Sequence, residues 1–373
     1  MPLWKRLGFL LVFVVPALMP AAHALGVATG MHDVAAWFPL FVLFVLVPVL
    51  DRALGHDPSN PADARIADDR WFAAPTLLAV PVQLGLLAWS ADLFAHDPFG
   101  PLGELGWLLS HGVVGGVLAI NTAHELVHKD TRVERAAGGV LLASVGYHGF
   151  KIEHVRGHHV HVSTPLDASS ARYGESLWHF LPRALVRNTA NAWRLEVARL
   201  RRAGHSVLSP RNEMLGWTFR WLAFALGALL IGGGRGLAFF LAQGLFAACS
   251  LEIINYIEHY GLERRRLPDG RYERTTHLHS WNSDFLLSNL LLYQLQRHSD
   301  HHETPRRRYQ ALLHHADSPQ LPGGYASMFV LALCPPLWYR TIHPVLATWR
   351  DTLASQGNRG CTATRDAGSA SRA

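Results

Sequence analysis

Histidine is the informative residue type in this chain. Of 23 histidines, a distinct subset falls in clusters. "NTAHELVHKD" carries His124 and His128, and "KIEHVRGHHVH" carries His154, His158 and His159. "NYIEHYGL" carries His259, and "LQRHSDHHE" carries His298, His301 and His302. Residues three or four apart on a helix share a face, with Cβ atoms about 5–6 Å apart. Such spacing lets one helix offer two imidazoles to one metal ion. Imidazole is the commonest protein ligand for metals, and three clusters of this spacing have no equally simple reading as surface polarity.

His124-Glu125-Leu126-Val127-His128 is also the H-E-x-x-H of zinc proteases, in which Glu125 would be the general base. The histidine count argues against that chemistry. A catalytic zinc takes three protein ligands and keeps one position open. Eight clustered histidines, or nine with His259, suit two metals of four or five imidazoles each, with room for oxygen or water. No carboxylate stands where soluble di-iron bundles place Glu and Glu-x-x-His, so the site is histidine-rich. Two further features disfavour a protease: Asp269 of "LPDG" lies in an Arg-rich loop outside the membrane, and Glu134 occupies the last ligand position of the longer metzincin pattern. A transporter relay would spread polar residues across the spans, whereas these histidines gather at one face.

Glu125, Glu153, Glu258 and Asp300 flank the histidines. Each is either a partner that orients an imidazole or an ordinary carboxylate at the membrane surface. Glu252 and Asn255 lie inside an apolar segment, where a carboxylate points to function or to a hydrogen bond with a neighbouring helix. Cys249, Cys334 and Cys361 form no C-x-x-C pair, which excludes a Cys-ligated iron–sulfur centre or zinc ribbon within the chain.

The elements that must position these side chains are membrane helices. Charged residues make up only 17% of the chain, against about 25% in soluble domains. Six apolar blocks, near 7–25, 34–54, 73–95, 103–123, 214–232 and 237–260, approach the roughly 20 residues of one span. With a cytoplasmic N-terminus, the loops near 26–33, 96–102 and 233–236 hold a single basic residue, Arg235. The basic residues collect instead in 124–213 and beyond His259, as the positive-inside rule requires. The net charge of +6 therefore calls for no nucleic-acid partner. The first block, followed by Ala22-His23-Ala24, also has the form of a cleaved secretory signal; the charge pattern favours an uncleaved span. The organisation is then four spans over 1–123, a cytoplasmic segment over 124–213 with the first two clusters, two spans over 214–260, a cytoplasmic cap over 261–350 with the third cluster, and a disordered tail over 351–373. The short apolar stretch 136–150 suits a buried or re-entrant helix. His124 and His259 fall at the cytoplasmic ends of their spans and the other two groups in the cytoplasmic segments. All four can therefore converge at one level, where an apolar substrate can approach from the bilayer and electrons from the cytoplasm.

"HELVHK", "EHVRGHH", "NYIEHYGL" and "LQRHSDHH", with "DASSARYGES", "SWNSDFLLSNLLLYQLQRHSDHH" and "RRYQALLHHADSPQLPGGY", resemble the integral-membrane, histidine-rich di-iron oxygenases, and within them the bacterial alkane 1-monooxygenase family. The resemblance covers nearly all of residues 36–346. It implies an all-α, six-span protein of the bacterial cytoplasmic (inner) membrane with both termini cytoplasmic. It implies His124, His128, His154, His158, His159, His259, His298, His301 and His302 as ligands of two non-haem irons, with O2 as cosubstrate. The implied reaction is terminal hydroxylation of medium- to long-chain n-alkanes taken from the bilayer. A related hydroxylase or desaturase acting on fatty acyl or alkyl-aromatic substrates is the nearer competitor. The implied donor is rubredoxin, reduced by an NAD(P)H-dependent rubredoxin reductase; without C-x-x-C pairs here, it must be a separate protein. Arg264–Arg266 and Arg306–Arg308 are candidates to dock it, although positive-inside charge explains them equally. In the second span, Leu43, Val45 and Leu46 are candidate walls of a substrate channel.

Overall fold

The computed structural model describes residues 1–96 and 99–369. It is helical throughout, and among the described residues β pairing is limited to three isolated bridges. Among the described residues five helices are long and apolar enough to cross a membrane: α1 Leu3–Thr29, α2 His32–Leu54, α3 Arg70–His96, α4 Pro101–Val127 and a longer one, Glu213–His259. Between the fourth and fifth lie α5 (Arg132–Ser144), α6 (150–161) and α7 (Leu177–Arg202). Glu213–His259 is α8. After it come α9 (Leu286–Leu291), α10 (His298–Glu303), α11 (Tyr325–Ala332) and α12 (Pro335–Ser369). The last helix enters the stretch 351–373 expected to be disordered; residues 370–373 of that stretch lie outside the described residues.

The sequence reading places two spans where the structure draws the single helix α8. That helix is bent back at Gly232 and Gly233, the latter at φ +59°, a left-handed conformation that glycine adopts without a Cβ clash. A Cβ on Gly236 would meet the carbonyl oxygen of Ala228 at 2.4 Å. In a straight helix those two residues are roughly 12 Å apart, so the two arms run back against each other. The bend sits beside the other inter-helix turns. Arg235 pairs with Glu104 at 2.7 Å and donates to the Phe94 carbonyl at 3.0 Å, and Gly100 N–H donates to Asp33 at 2.8 Å.

Local signals set the helix ends near the histidines. Thr131 caps α5: the Glu134 N–H donates to the Thr131 hydroxyl at 3.2 Å, and that hydroxyl donates to the Glu134 carboxylate at 2.6 Å. This cap starts a new helix just after His128. Asn212 caps α8 by accepting from Leu215 N–H. Phe9, Val12, Val15, Met19 and Ala22 of α1 are buried, and Phe9 packs edge-on against Tyr309. The stretch expected to be a buried or re-entrant helix forms α5, whose Gly139 lies against Trp217.

Candidate metal centre

Three elements and one helix end deliver the nine histidines to one place. His124 lies in the last turn of α4 and His128 at its C-terminal cap. His154, His158 and His159 come from α6, His259 ends α8, and His298, His301 and His302 form half of α10. Their ring nitrogens fall into two groups, each with atoms within 4.8 Å of one another. One holds His124, His128, His154, His159 and His301; the other holds His158, His259, His298 and His302.

The grouping departs from what helical spacing alone implies. His154 and His158, four apart, go to different groups, while His154 and His159, five apart, share one. The cause is a π-turn over His154–His158. Its i→i+5 hydrogen bonding brings residues five apart onto one side. Two more π-turns, Val42–Leu46 and Gly116–Ile120, flank the same region.

These residues fit metal ions better than they fit one another. Nε2 of His124, His128 and His158 are buried with no hydrogen-bond partner. Other Nε2 atoms face Nε2 atoms: His154 and His159 at 3.0 Å, His159 and His301 at 3.1 Å, His259 and His298 at 3.2 Å, His298 and His302 at 2.9 Å. Lone pairs aimed at a shared centre are what a cation between them requires. Burial, and then mutual repulsion among neighbouring charges, holds His128, His154, His159, His298, His301 and His302 well below the usual histidine range. Neutral imidazole is the form that binds metals.

The flanking carboxylates divide. Glu258 approaches His298 Nε2 at 3.2 Å and accepts from the Tyr325 hydroxyl at 2.8 Å. The other three do not touch the nine imidazoles. Glu125 pairs with Lys129 at 2.7 Å and accepts from Tyr309 N–H at 3.2 Å, so it is held away from any protease-like role. Glu153 accepts from Asn191 at 3.0 Å, and burial with the nearby Asp167 charge pushes it up to about 7. Asp300 is bound by Arg307, His315 and Leu313 N–H.

Sequence reasoning missed Asp167. Its carboxylate meets His158 Nδ1 at 2.9 Å and is held by the Ser170 hydroxyl at 2.6 Å and Ser169 N–H at 3.1 Å. Burial opposes charge on His158, yet the Asp167 carboxylate raises its pKa. Asp167 lies in the "DASS" turn after α6, with no periodicity to mark it; only the quoted "DASSARYGES" held the signal. Glu252, fully buried, accepts from the Tyr147 hydroxyl at 2.5 Å and from Asn188 at 3.0 Å. Asn188 also donates to Ser169 at 2.8 Å. The carboxylate thus ties α8 to α7 and to the Asp167 turn, which is the hydrogen-bonded reading.

An apolar cavity of about 110 Å³ ends on His124 and Glu258. Its walls include Val15, Leu43, Val47, Val113, Ile254 and Phe329. From Val113 to His124 it follows roughly 16 Å of helix axis. Leu43 lines it, whereas Val45 and Leu46 are 49% and 41% exposed and point away. The π-turn at Val42–Leu46 carries both sets. Of the six arginines considered for docking, Arg307 and Arg308 are bound to Asp300 and Glu134, and Arg264 to backbone carbonyls; Arg265, Arg266 and Arg306 are exposed. A third group, His277, Glu303 and His315, is half-buried. His277 already faces carboxylates on both nitrogens, Glu303 at 2.9 Å and Asp317 at 3.0 Å, so it forms an ion-pair network.

Comparison with known proteins agrees with this geometry. Residues 99–332 match the family model "Fatty acid desaturase". The chain is 50% identical over 345 residues to alkane 1-monooxygenase 2 of Pseudomonas aeruginosa, covering 91% of this chain and 92% of that protein. It is 49% identical over 345 residues to alkane 1-monooxygenase 2 of Alcanivorax borkumensis, covering 91% and 90%. To the xylene/toluene monooxygenase hydroxylase component of Pseudomonas putida it is 28% identical over 330 residues, covering 87% and 85%. A helical chain with nine clustered histidines, one of them lining an apolar cavity, and with this identity along nearly its whole length, belongs to the alkane 1-monooxygenase family.

Proposed function

We propose that this protein hydroxylates the terminal methyl group of medium- to long-chain n-alkanes, using dioxygen and two histidine-held irons. The observation that carries the reading is the apolar cavity lined by His124 of one imidazole group and by Glu258, which meets His298 of the other. An unactivated methyl offers no polarised bond to an acid, base or nucleophile, so the chemistry must be redox. Bound iron supplies the reductive activation of dioxygen, with two electrons and two protons giving alcohol and water. His124, His128, His154, His159 and His301 would hold one ion, and His158, His259, His298 and His302 the other.

The rest is the work of the chain itself. Asp167 accepts from His158 Nδ1 and so leaves Nε2 free for a metal, fixing both tautomer and ring direction. Glu258 lines the cavity beside His298, a position from which its carboxylate can hold or pass a proton. Leu43, Val47 and Phe329 exclude water and align an extended hydrocarbon toward His124.

In this reading the chain crosses the cytoplasmic membrane six times, counting the arms of α8 separately. The segments 124–213 and 261–350 form the cytoplasmic cap, and both termini are cytoplasmic. A separate rubredoxin, reduced by an NAD(P)H-dependent reductase, delivers electrons; Arg265, Arg266 and Arg306 are the exposed arginines that could meet it. The test is metal analysis of detergent-purified protein followed by product analysis with an alkane, rubredoxin and its reductase. About two irons per chain and a 1-alkanol product support the proposal. A single zinc, or no alkanol from iron-loaded protein, overturns it.

A further inference from the structure

We infer that the cleft between α5, α6 and the start of α8 is a site for an anionic phospholipid headgroup, recognised through its phosphate. The cleft has a volume of about 370 Å³ and is lined by Arg132, Arg135, Lys151, Arg211 and Arg220, against one carboxylate, Glu213. That carboxylate is already shared, with Lys151 at 2.6 Å and Arg156 at 2.9 Å. The arginines lack an anionic partner. Arg132 has no hydrogen bond or ion pair among the described residues. The Arg135 guanidinium donates only to the carbonyls of Lys129 and Asp130, and that of Arg220 only to the Gly216 carbonyl while it stacks on Trp217 at 4.8 Å. The Arg211 guanidinium contacts His205. Guanidinium groups match phosphate oxygens in bidentate geometry, and basic pockets between membrane helices on the cytoplasmic side suit anionic headgroups.

Position selects a lipid over a free phosphate. The cleft lies at the first turns of α8, with Trp217 in its lining, the level where aromatic side chains mark the membrane interface. Further along the same helix Phe219, Leu222, Leu226 and Leu230 are exposed. Acyl chains hanging from the cleft would cover that apolar flank. The inference rests on the membrane reading and not on the iron chemistry.

The experiment uses purified full-length, iron-loaded protein, exchanged into phosphatidylcholine–detergent micelles. Thermal unfolding is followed while phosphatidylglycerol, more phosphatidylcholine, or inorganic phosphate is added, and native mass spectrometry counts retained phosphatidylglycerol. We expect phosphatidylglycerol alone to raise the unfolding midpoint and one such lipid to survive the exchange. R132Q/R220Q should weaken that response by about tenfold or more, each phosphate contact contributing through charge-assisted bonds, with iron content and alkane turnover unchanged. R265Q/R266Q, removing two exposed arginines elsewhere, should respond as the unaltered protein does. Equal weakening in both variants reduces the effect to general charge and overturns the site. A full response to inorganic phosphate overturns the lipid and leaves a free-phosphate site. No retained phosphatidylglycerol in the unaltered protein overturns it without any variant. Because turnover is read separately, loss of the lipid response with normal hydroxylation, or the reverse, tells which of the two readings has failed.

Discussion

The five-imidazole group and the four-imidazole group lie side by side, but their surroundings differ. His158 of the smaller group is clamped by Asp167, and His298 meets Glu258. Among the described residues no carboxylate touches the larger group; its His159 is only half-buried. One group therefore has an extra nitrogen and the other has nearby negative charge. A metal ion in the smaller group would depend on fewer ligands, one of them, His158, fixed through its Nδ1, while the larger group could lose a ligand and still surround an ion. Two chemically unequal positions result from one repeated residue type.

The strongest way to break this comparison is to remove one ligand from each side. His302→Ala leaves three imidazoles in the smaller group, and His301→Ala leaves four in the larger. Both should abolish hydroxylation. Iron should fall from about two to about one per chain for His302→Ala and by less for His301→Ala, because affinity follows the number of preformed ligands. Metal analysis beside turnover checks this. Equal iron loss in the two variants would remove the asymmetry.

Asp167→Asn tests the clamp itself. An amide can still hydrogen-bond but carries no charge and can impose the wrong tautomer on His158. Loss of such a partner costs about 10–100-fold in metal affinity or activity. Here the loss should be confined to one iron, so a titration with a chelator should become biphasic where the unaltered protein is less so. A uniform shift of both irons would mean that Asp167 supports the fold around both groups.

Eight of the nine histidines were legible because helical spacing and their recurrence in three short segments need no tertiary information; His259 stands alone and was marked only by the resemblance of "NYIEHYGL". Their partition into two groups was not legible. A π-turn at His154–His158 changes which ring points where, and nothing in "EHVRGHH" marks a π-turn. Asp167 was equally hidden: it reaches His158 across a turn held by Ser169 and Ser170, a contact made by tertiary geometry and not by period. Proximity in sequence did not decide between the two roles left open for the flanking carboxylates: Glu125 and Asp300 sit beside clustered histidines yet are turned toward Lys129 and Arg307. The helical spans and the turn between 214–232 and 237–260 were readable from apolar length, while the choice of Gly233 for the left-handed φ is not singled out among its neighbours Gly232 and Gly234.

Glu125→Gln sharpens the contrast from the larger group's side. It leaves the Lys129 ammonium, 3% exposed, without its partner, and breaking a buried pair in this way costs about 3–5 kcal/mol. The unfolding midpoint should drop, while iron per chain in the folded protein at low temperature stays at its normal value. Selective loss of one iron instead would give Glu125 the orienting role that its side-chain contacts do not support.

The smallest effect is expected where neither group is touched. Leu43 and Val45 are two residues apart on the same π-turn, one in the cavity wall and one 49% exposed. Leu43→Trp adds bulk inside a cavity whose far end must hold the hydrocarbon tail. Shorter alkanes should then be preferred, with discrimination changing by about 10-fold, the scale of one or two methylenes lost from a hydrophobic pocket. Total turnover on the best substrate should change little, because the imidazoles at the other end are unaltered. Val45→Trp faces outward and should leave the product profile as it was. Competition between two alkanes of different length, read by gas chromatography, separates the cases. If both variants shift preference alike, the effect comes from a disturbed α2 and the cavity is not the ruler; if only Leu43→Trp shifts it, chain length is measured along α2 and α4, at the end remote from the metals.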